Sequence, residues 1–367
     1  MFSKSPPWTS TVLVSAALGL SVTIIWLYTN KIKRRRKNKF TRLNNQATVP
    51  HTWTRVGTIK HLYIYPLKSG HYISLERGHC DVQGMKVDTQ DSLTVADRSF
   101  ILFNEKEKIF ISSKQFNHLL LVETKYVTNG TYEFSVYNQP SYEKLTININ
   151  SVLSANSNKT FTLYVDEMLT AFDCGDTAAR WFSTYLLDKP DLSIRLGYNS
   201  NGRRNVADNY LKKYTTVYDN VNNEDLGVFA DMTSYMVLNE RSLDDLNDRM
   251  KSIGVDDVSM LQFRGNIILD GPEPFAEDAW DWIRFGNDVI MRTVKPCTRC
   301  VLTCVHPDTG RKQVDNQPLM TLRQYRAIPD DTQRKVEGFA PMFGVYMGVH
   351  CCGYVRVGDD VYVANDK

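Results

Sequence analysis

The sequence lacks the glycine-rich segments G-x-G-x-x-G and G-x-x-x-x-G-K-S/T, so binding of a dinucleotide or of nucleotide phosphates has no motif support. Cysteine is also scarce, with seven residues in a chain of 367, and seven is an odd number. A chain of this length buries a core without disulfide staples. The cysteines are therefore expected to be thiols or ligands in a reducing compartment.

Acidic side chains are absent from the first 40 residues, which contain eight of the 44 basic ones. The rest of the chain then holds 36 basic against 41 acidic residues and is mildly acidic. A nucleic-acid binder would carry its basic excess on the folded domain, so the sequence indicates no nucleic-acid partner.

One apolar run is long enough to cross a membrane. Thr9 to Tyr28 has no charge, and at about 1.5 Å per residue it reaches roughly 30 Å. The basic cluster from Lys31 to Lys39 follows the run, whereas the charges of a cleaved signal peptide precede a shorter one. We predict a single transmembrane anchor within residues 1–40, a linker over 41–54 and a body that faces the cytosol.

Beyond the linker the pattern is β-rich, with strands and turns typical of a closed barrel rather than a parallel α/β sheet. Asn129-Gly130 predicts a hairpin turn. An aromatic stripe from Ala178 to Leu186 predicts one helix, and Ser242 with Asp245 predicts the capped start of another. Strands are predicted at Ile59–Tyr65, Phe100–Phe103, Ile109–Ile111, Leu119–Val127, Tyr132–Tyr137, Gly344–Val349, Tyr354–Val357 and Val361–Val363.

Three cysteines and a histidine lie close together in residues 295–310, which read K-P-C-T-R-C-V-L-T-C-V-H-P-D-T-G. Cys297 and Cys300 form a C-x-x-C pair which, with Cys304 and His306, is compatible with a zinc site, a partial iron–sulfur site or a redox pair. The alternative is that some of these cysteines are small buried apolar residues, above all Cys304 inside the apolar run from Val301 to Val305. A guanidinium beside a thiol favours the thiolate that binds soft metals, so Arg299 makes Cys300 the preferred ligand.

Several ordered motifs resemble the MOSC-domain family, and more closely the mitochondrial amidoxime-reducing components. They are Tyr65-Pro66-Leu67-Lys68-Ser69, Asp97-Arg98, Asp173-Cys174-Gly175, Phe263-Arg264-Gly265-Asn266, Pro296 to Cys300, Pro307 to Gly310, the P-x-F-G-x-Y that ends at Tyr346, and Val357-Gly358-Asp359. The resemblance implies an α+β, β-rich fold with three parts. A start of the MOSC barrel at 55–98 and an N-terminal-type domain at 99–190 precede the MOSC domain at 191–365.

The same resemblance implies a molybdenum cofactor whose metal is bound by the catalytic thiolate of Cys300, while Cys297 is not a ligand. The implied cofactor contacts are Lys68, Ser69, Arg98, Met232, Thr233, Ser234, Arg264, Asn266, Thr298, Arg299 and Tyr346. A phosphate dianion suits such a set, because guanidinium and ammonium groups are its strongest donors.

The implied reaction is the reduction of N-hydroxylated substrates such as amidoximes, hydroxylamines and N-oxides. Electrons would come from NADH through cytochrome b5 reductase and cytochrome b5, on the outer mitochondrial membrane. A MOSC cofactor-binding or sulfur-carrier module without reductase activity is the alternative.

Overall fold

The computed structural model describes residues 49–87, 95–165, 167–199, 202, 204 and 210–365. The predicted anchor at Thr9 to Tyr28, its basic flank and most of the linker lie outside these residues. No helix in the described part is both long and apolar enough to span a bilayer.

Short β-strands dominate the described chain, and five α-helices lie among them. The strands are β1 Thr54–Ile64, β2 Ile73–Leu75, β3 Arg77–Asp81, β4 Gly84–Val87, β5 Phe100–Asn104, β6 Phe110–Ile111, β7 Val122–Thr128, β8 Thr131–Val136, β9 Leu145–Asn148, β10 Asn158–Thr162, β11 Met168–Asp173, β12 Ile194–Tyr198, β13 Tyr235–Asn239, β14 Ile267–Asp270, β15 Trp282–Phe285, β16 Val289–Thr298, β17 Met342–Cys351, β18 Gly353–Arg356 and β19 Asp360–Ala364. The helices are α1 Ile149–Ala155, α2 Asp176–Leu187, α3 Glu240–Ser252, α4 Leu319–Tyr325 and α5 Asp331–Glu337.

The largest sheet closes on itself. Its eight strands follow the order β14, β13, β17, β16, β15, β19, β1 and β2, and β1 also pairs with β14 to complete a ring of seven. Strand β1 closes the ring because it is long, pairing with β19 through Thr54 to Thr58 and with β14 through Thr58 to Leu62. The prediction of a closed barrel is confirmed.

Successive side chains along the barrel strands point alternately to the inner and the outer face of the barrel. Val237, Ile267 and Val345 belong to a large apolar cluster that draws side chains from all around the ring, as the interior of a barrel does. Their strand neighbours Met236 and Tyr346 contribute to a different cluster on the other face. This outer face of β13 and β17 forms one wall of the site described below.

Three smaller sheets accompany the barrel, in the strand orders β10-β11-β12-β5-β6, β18-β3-β4 and β7-β8-β9. Asn129 and Gly130 make the predicted turn between β7 and β8, with φ of 46° and 73°. Helix α2 covers the predicted aromatic stripe, and Trp181 and Phe182 are buried in it as core residues.

Two local predictions are wrong. Leu119 to Leu121 form part of a 3₁₀ helix rather than the start of β7, because the three consecutive leucines are buried together and do not alternate. Ser242 does not cap α3, whose N-cap is Asn239, with a side chain that accepts from the backbone N–H of Arg241. The hydroxyl of Ser242 donates instead to the buried carboxylate of Glu277, at 3.2 Å.

Glu277 makes the stability of the fold depend on pH. Burial raises the pKa of Glu277 from its ordinary 4.5 to about 7. Between pH 4.5 and 7 the unfolded chain loses this proton while the folded chain keeps it, so stability falls as pH rises through that window. We expect Glu277→Gln to remove this loss, worth about 3 kcal/mol at most. Urea unfolding of the parent protein and of Glu277→Gln at pH 5 and pH 8 gives the free energy of unfolding at each pH. If the two proteins differed by the same amount at both pH values, the assignment to Glu277 would be wrong.

Candidate functional site

A cleft on the outer face of β13 and β17 gathers side chains from segments far apart in the sequence. Its cavity volume is about 100 Å³. Its predicted members are Lys68, Ser69, Arg98, Thr233, Arg264, Asn266, Thr298, Arg299, Cys300 and Tyr346. The structure therefore brings together ten of the residues that the motifs predicted.

Two predicted contact residues do not line the cleft. Met232 is buried in a separate apolar cluster with Leu226 and Val294. The hydroxyl of Ser234 donates to the carbonyl of Val82 at 2.6 Å. Thr233 is the member of this segment that reaches the cleft wall.

Three cleft residues have left-handed backbone conformations although they carry side chains. The φ angles are 69° at Ser69, 49° at Arg98 and 55° at Arg264. This region costs a residue other than glycine roughly 1 to 2 kcal/mol, and such residues concentrate at functional sites. The surrounding fold thus holds the three segments in conformations they would not adopt alone.

Tyr65 places two positive charges side by side. The guanidinium of Arg98 lies 4.8 Å from the centre of its ring and that of Arg264 lies 4.2 Å away. Asp97 stabilises the arrangement, since its carboxylate pairs with Arg98 and accepts from the backbone N–H of Tyr65. Two adjacent guanidinium groups held against one aromatic ring favour an anionic ligand.

Arg264 has donor capacity left for such a ligand. Its Nη1 donates to the carbonyl of Gly70 at 2.8 Å, whereas its buried Nη2 has no hydrogen-bond partner in the described part of the chain. Burial lowers the pKa of Arg264 to about 10. A buried, unpartnered guanidinium N–H is costly, and an anion in the cleft would remove that cost. The donor set therefore fits a phosphate-bearing cofactor.

Asp231 is a cleft residue that the sequence did not reveal. Its carboxylate lies 2.5 Å from the ammonium of Lys68 and also accepts from the hydroxyl of Tyr164. The side chain of Lys68 is 6% exposed and that of Asp231 is 64% exposed. Burial lowers the pKa of Lys68, so this cation needs an anionic neighbour. Asp231 supplies one, and it competes with any phosphate for the same ammonium.

Cys300 is exposed in the cleft, at the start of a short 3₁₀ helix, Val301–Cys304. Arg299 beside it is buried, and its guanidinium donates to the carbonyls of Phe263 and Phe343 at 2.8 Å and 2.5 Å. These bonds and one to the sulfur of Met236 engage four of its five N–H groups. Arg299 thus anchors the segment that presents the thiol and has little capacity left for a phosphate.

A buried ion pair supports the strand end before Cys300. The ammonium of Lys295 lies 2.7 Å from Glu337 Oε1, and the two side chains are 2% and 1% exposed. The other carboxylate oxygen, Oε2, accepts from the hydroxyl of Thr298 at 2.9 Å. Thr298, predicted as a cofactor contact, therefore uses its hydroxyl to connect its strand to α5.

The remaining cysteines and the histidine of the motif lie in different surroundings. Cys297 lines the cleft but is only 2% exposed. Cys304 is buried, and its thiol donates to the carbonyl of Asn316 at 3.2 Å. The ring Nδ1 of His306 accepts from the backbone of Asp308. No group of three or more His, Cys, Asp or Glu side chains placed to hold a metal occurs among the described residues.

Known proteins resemble the chain over most of its length. The MOSC N-terminal beta barrel domain matches residues 56–189 and the MOSC domain matches residues 227–362. The chain is 31% identical to mitochondrial amidoxime reducing component 2 of Rattus norvegicus, over 96% of this chain and 93% of that protein. It is 29% identical to mitochondrial amidoxime-reducing component 1 of Homo sapiens, over 84% and 83% of the two chains. Among solved structures, the YUAD protein from Bacillus subtilis aligns with 86% of this chain and all of its own, at 10% identity and a TM-score of 0.33.

Proposed function

Because the chain belongs to the MOSC-domain family of mitochondrial amidoxime-reducing components, we propose that it is a molybdenum-cofactor-dependent reductase of N-hydroxylated compounds. One observation carries the proposal. The exposed thiol of Cys300 shares a cleft with the unpartnered guanidinium N–H of Arg264, with the buried ammonium of Lys68 and with the partly buried guanidinium of Arg98. Such a cleft offers a soft metal ligand and a phosphate site together.

The residues divide into two roles. Arg98, Arg264 and the backbone around Ser69 would hold the anionic end of the cofactor, and the thiolate of Cys300 would be the protein ligand to its metal. When bound, the cofactor would supply the two-electron redox chemistry that the reduction requires. For an amidoxime the N–O bond breaks, and two electrons and two protons yield an amidine and water.

The electrons come from outside the chain in this proposal. NADH, cytochrome b5 reductase and cytochrome b5 form the donor series that the family resemblance implies. We place the protein on the outer mitochondrial membrane through residues 1–40, with its body in the cytosol. Confinement of donors and acceptor to one membrane surface raises their effective concentration.

Reconstitution tests the proposal. The full chain, produced in cells that make the molybdenum cofactor, is expected to retain molybdenum and to reduce benzamidoxime with NADH, cytochrome b5 and its reductase. Arg264→Met removes the donor with no partner, so molybdenum retention should fall about ten- to hundredfold. Arg241→Met, on the exposed surface of α3, is the matched control and should retain the metal.

Two results would count against this function. A preparation that binds only a small fraction of molybdenum per chain, with cofactor supplied, would exclude a cofactor-dependent enzyme. A preparation that binds the cofactor fully but reduces no N-hydroxylated compound would instead support a cofactor-binding or sulfur-carrier module.

A further inference from the structure

Two apolar side chains that the reaction does not use are exposed close to Cys300. Phe339 is 89% exposed and Val301 is 44% exposed. Isolated exposed apolar residues are common on protein surfaces. These two differ because of their position relative to the cleft.

The loop that carries Phe339 is attached on both sides to the strand that leads to Cys300. Before it, the carboxylate of Glu337 accepts from the hydroxyl of Thr298. After it, the carbonyl of Pro341 accepts from the backbone N–H of Arg299 at 2.8 Å. Phe339 is therefore tied within a few residues of the thiol.

The strand register gives the relative positions. Thr298 pairs with Met342 as β16 and β17 meet in antiparallel orientation. Beyond this last pair, the backbone bond from Arg299 to Pro341 continues the contact by one residue. Val301 lies two residues after Arg299, and Phe339 lies two residues before Pro341. Val301 thus follows the thiol directly, Phe339 lies on the segment bonded beside it, and Leu302, which comes after Val301, lines the cleft itself.

We propose that Phe339 and Val301 form an apolar rim that binds the aromatic or aliphatic body of the substrate while its N-hydroxyl group enters the cleft. This inference rests on the proposed function and specifies its substrate class, namely compounds whose N–O group is attached to an apolar body. Substrates with an aromatic body should bind most tightly, since a phenyl ring packs edge-to-face or offset against the ring of Phe339. A stable protein complex buries about 800 Å² of surface on each partner. Two side chains offer far less contact area than that, so the rim suits a small ligand better than a protein.

Paired substrates test the rim. Benzamidoxime carries a phenyl ring, whereas hydroxylamine has the N–O group and no carbon body. We expect Phe339→Ala to raise the KM for benzamidoxime about five- to tenfold, with kcat little changed, because one face of the substrate ring loses its contact. The KM for hydroxylamine should stay within about twofold of the parent value. Phe339→Leu should restore most of the benzamidoxime affinity, and Val127→Ala, an exposed valine in β7, should change neither KM.

Several outcomes would overturn the inference. An equal change for both substrates, or a fall in kcat for both, would mean that Phe339 acts through the loop on Cys300. An increased KM for cytochrome b5 with unchanged substrate constants would assign the rim to the electron donor. If KM and kcat were unchanged for both substrates and for cytochrome b5, Phe339 would not bind the substrate.

A binding measurement separates failure of the rim from failure of the proposed function. If the parent protein reduces neither substrate, the function is wrong, and calorimetry of benzamidoxime binding to the parent and Phe339→Ala proteins still tests the rim. Weaker binding to the variant supports the rim. Equal binding or none overturns it.

Discussion

Replacement of Cys300 by serine is expected to lower the kcat/KM of benzamidoxime reduction more than about a hundredfold while the protein stays folded. Groups that only orient a metal ligand commonly contribute about 10- to 100-fold, so loss of the ligand itself should exceed that range. A serine hydroxyl does not ionise at neutral pH and is a hard donor, whereas the thiolate is soft. Cys300 is exposed and belongs to none of the apolar clusters formed by the described residues, so the urea midpoint should hardly change.

The matched control is Cys352→Ser, which changes another exposed cysteine and should leave kcat/KM unchanged. Cys297→Ser is the informative comparison, because Cys297 also lines the cleft. Its thiol is buried beside the phenol of Tyr346, and we expect this variant to keep far more activity than Cys300→Ser. Full activity in Cys300→Ser, or a larger loss in Cys297→Ser, would show that the metal ligand has been assigned to the wrong cysteine.

Most of the cleft could be predicted because its residues lie in short motifs that need special backbone geometry. The G of the P-x-F-G-x-Y motif shows why. Gly344 has a φ of 76°, and a Cβ there would lie 2.6 Å from the carbonyl oxygen of Val237. Lys68-Ser69, Asp97-Arg98 and Arg264-Gly265-Asn266 each include a residue with positive φ. Such positions tolerate few residue types, so they leave a recognisable pattern in a single sequence.

The residues that the sequence did not predict contact side chains that are distant in the sequence. Asp231 is 163 positions from Lys68, and Glu337 is 39 positions from Thr298. Nothing local distinguishes either carboxylate from a solvated surface residue. The same limit applies to Ser242, whose sequence context predicted a helix cap but whose hydroxyl is used by the distant Glu277. Local patterns predict strands and motifs, while pairings across the fold decide which polar groups meet.

The largest expected loss of stability comes from Glu337→Gln. The variant keeps an oxygen that can accept from Thr298, but it removes the only carboxylate that pairs with Lys295 among the described residues. The rings of Tyr214, Tyr218 and Tyr346 lie 5.0 to 5.4 Å from the ammonium, and the Lys295 side chain is only 2% exposed. An unpaired charge in such a site costs about 3 to 5 kcal/mol, so urea unfolding should show a loss of that size.

A second substitution shows whether the loss comes from the charge. Lys295→Met combined with Glu337→Gln removes both charges and should recover much of the stability, since apolar replacement of a buried ion pair is often neutral. Asp331→Asn breaks an exposed pair with Arg334 on the same helix and should cost less than about 1 kcal/mol. A comparably small loss in Glu337→Gln would mean that the three tyrosine rings suffice to hold the ammonium. A large loss that the double variant repairs would establish that Glu337 neutralises the buried ammonium of Lys295.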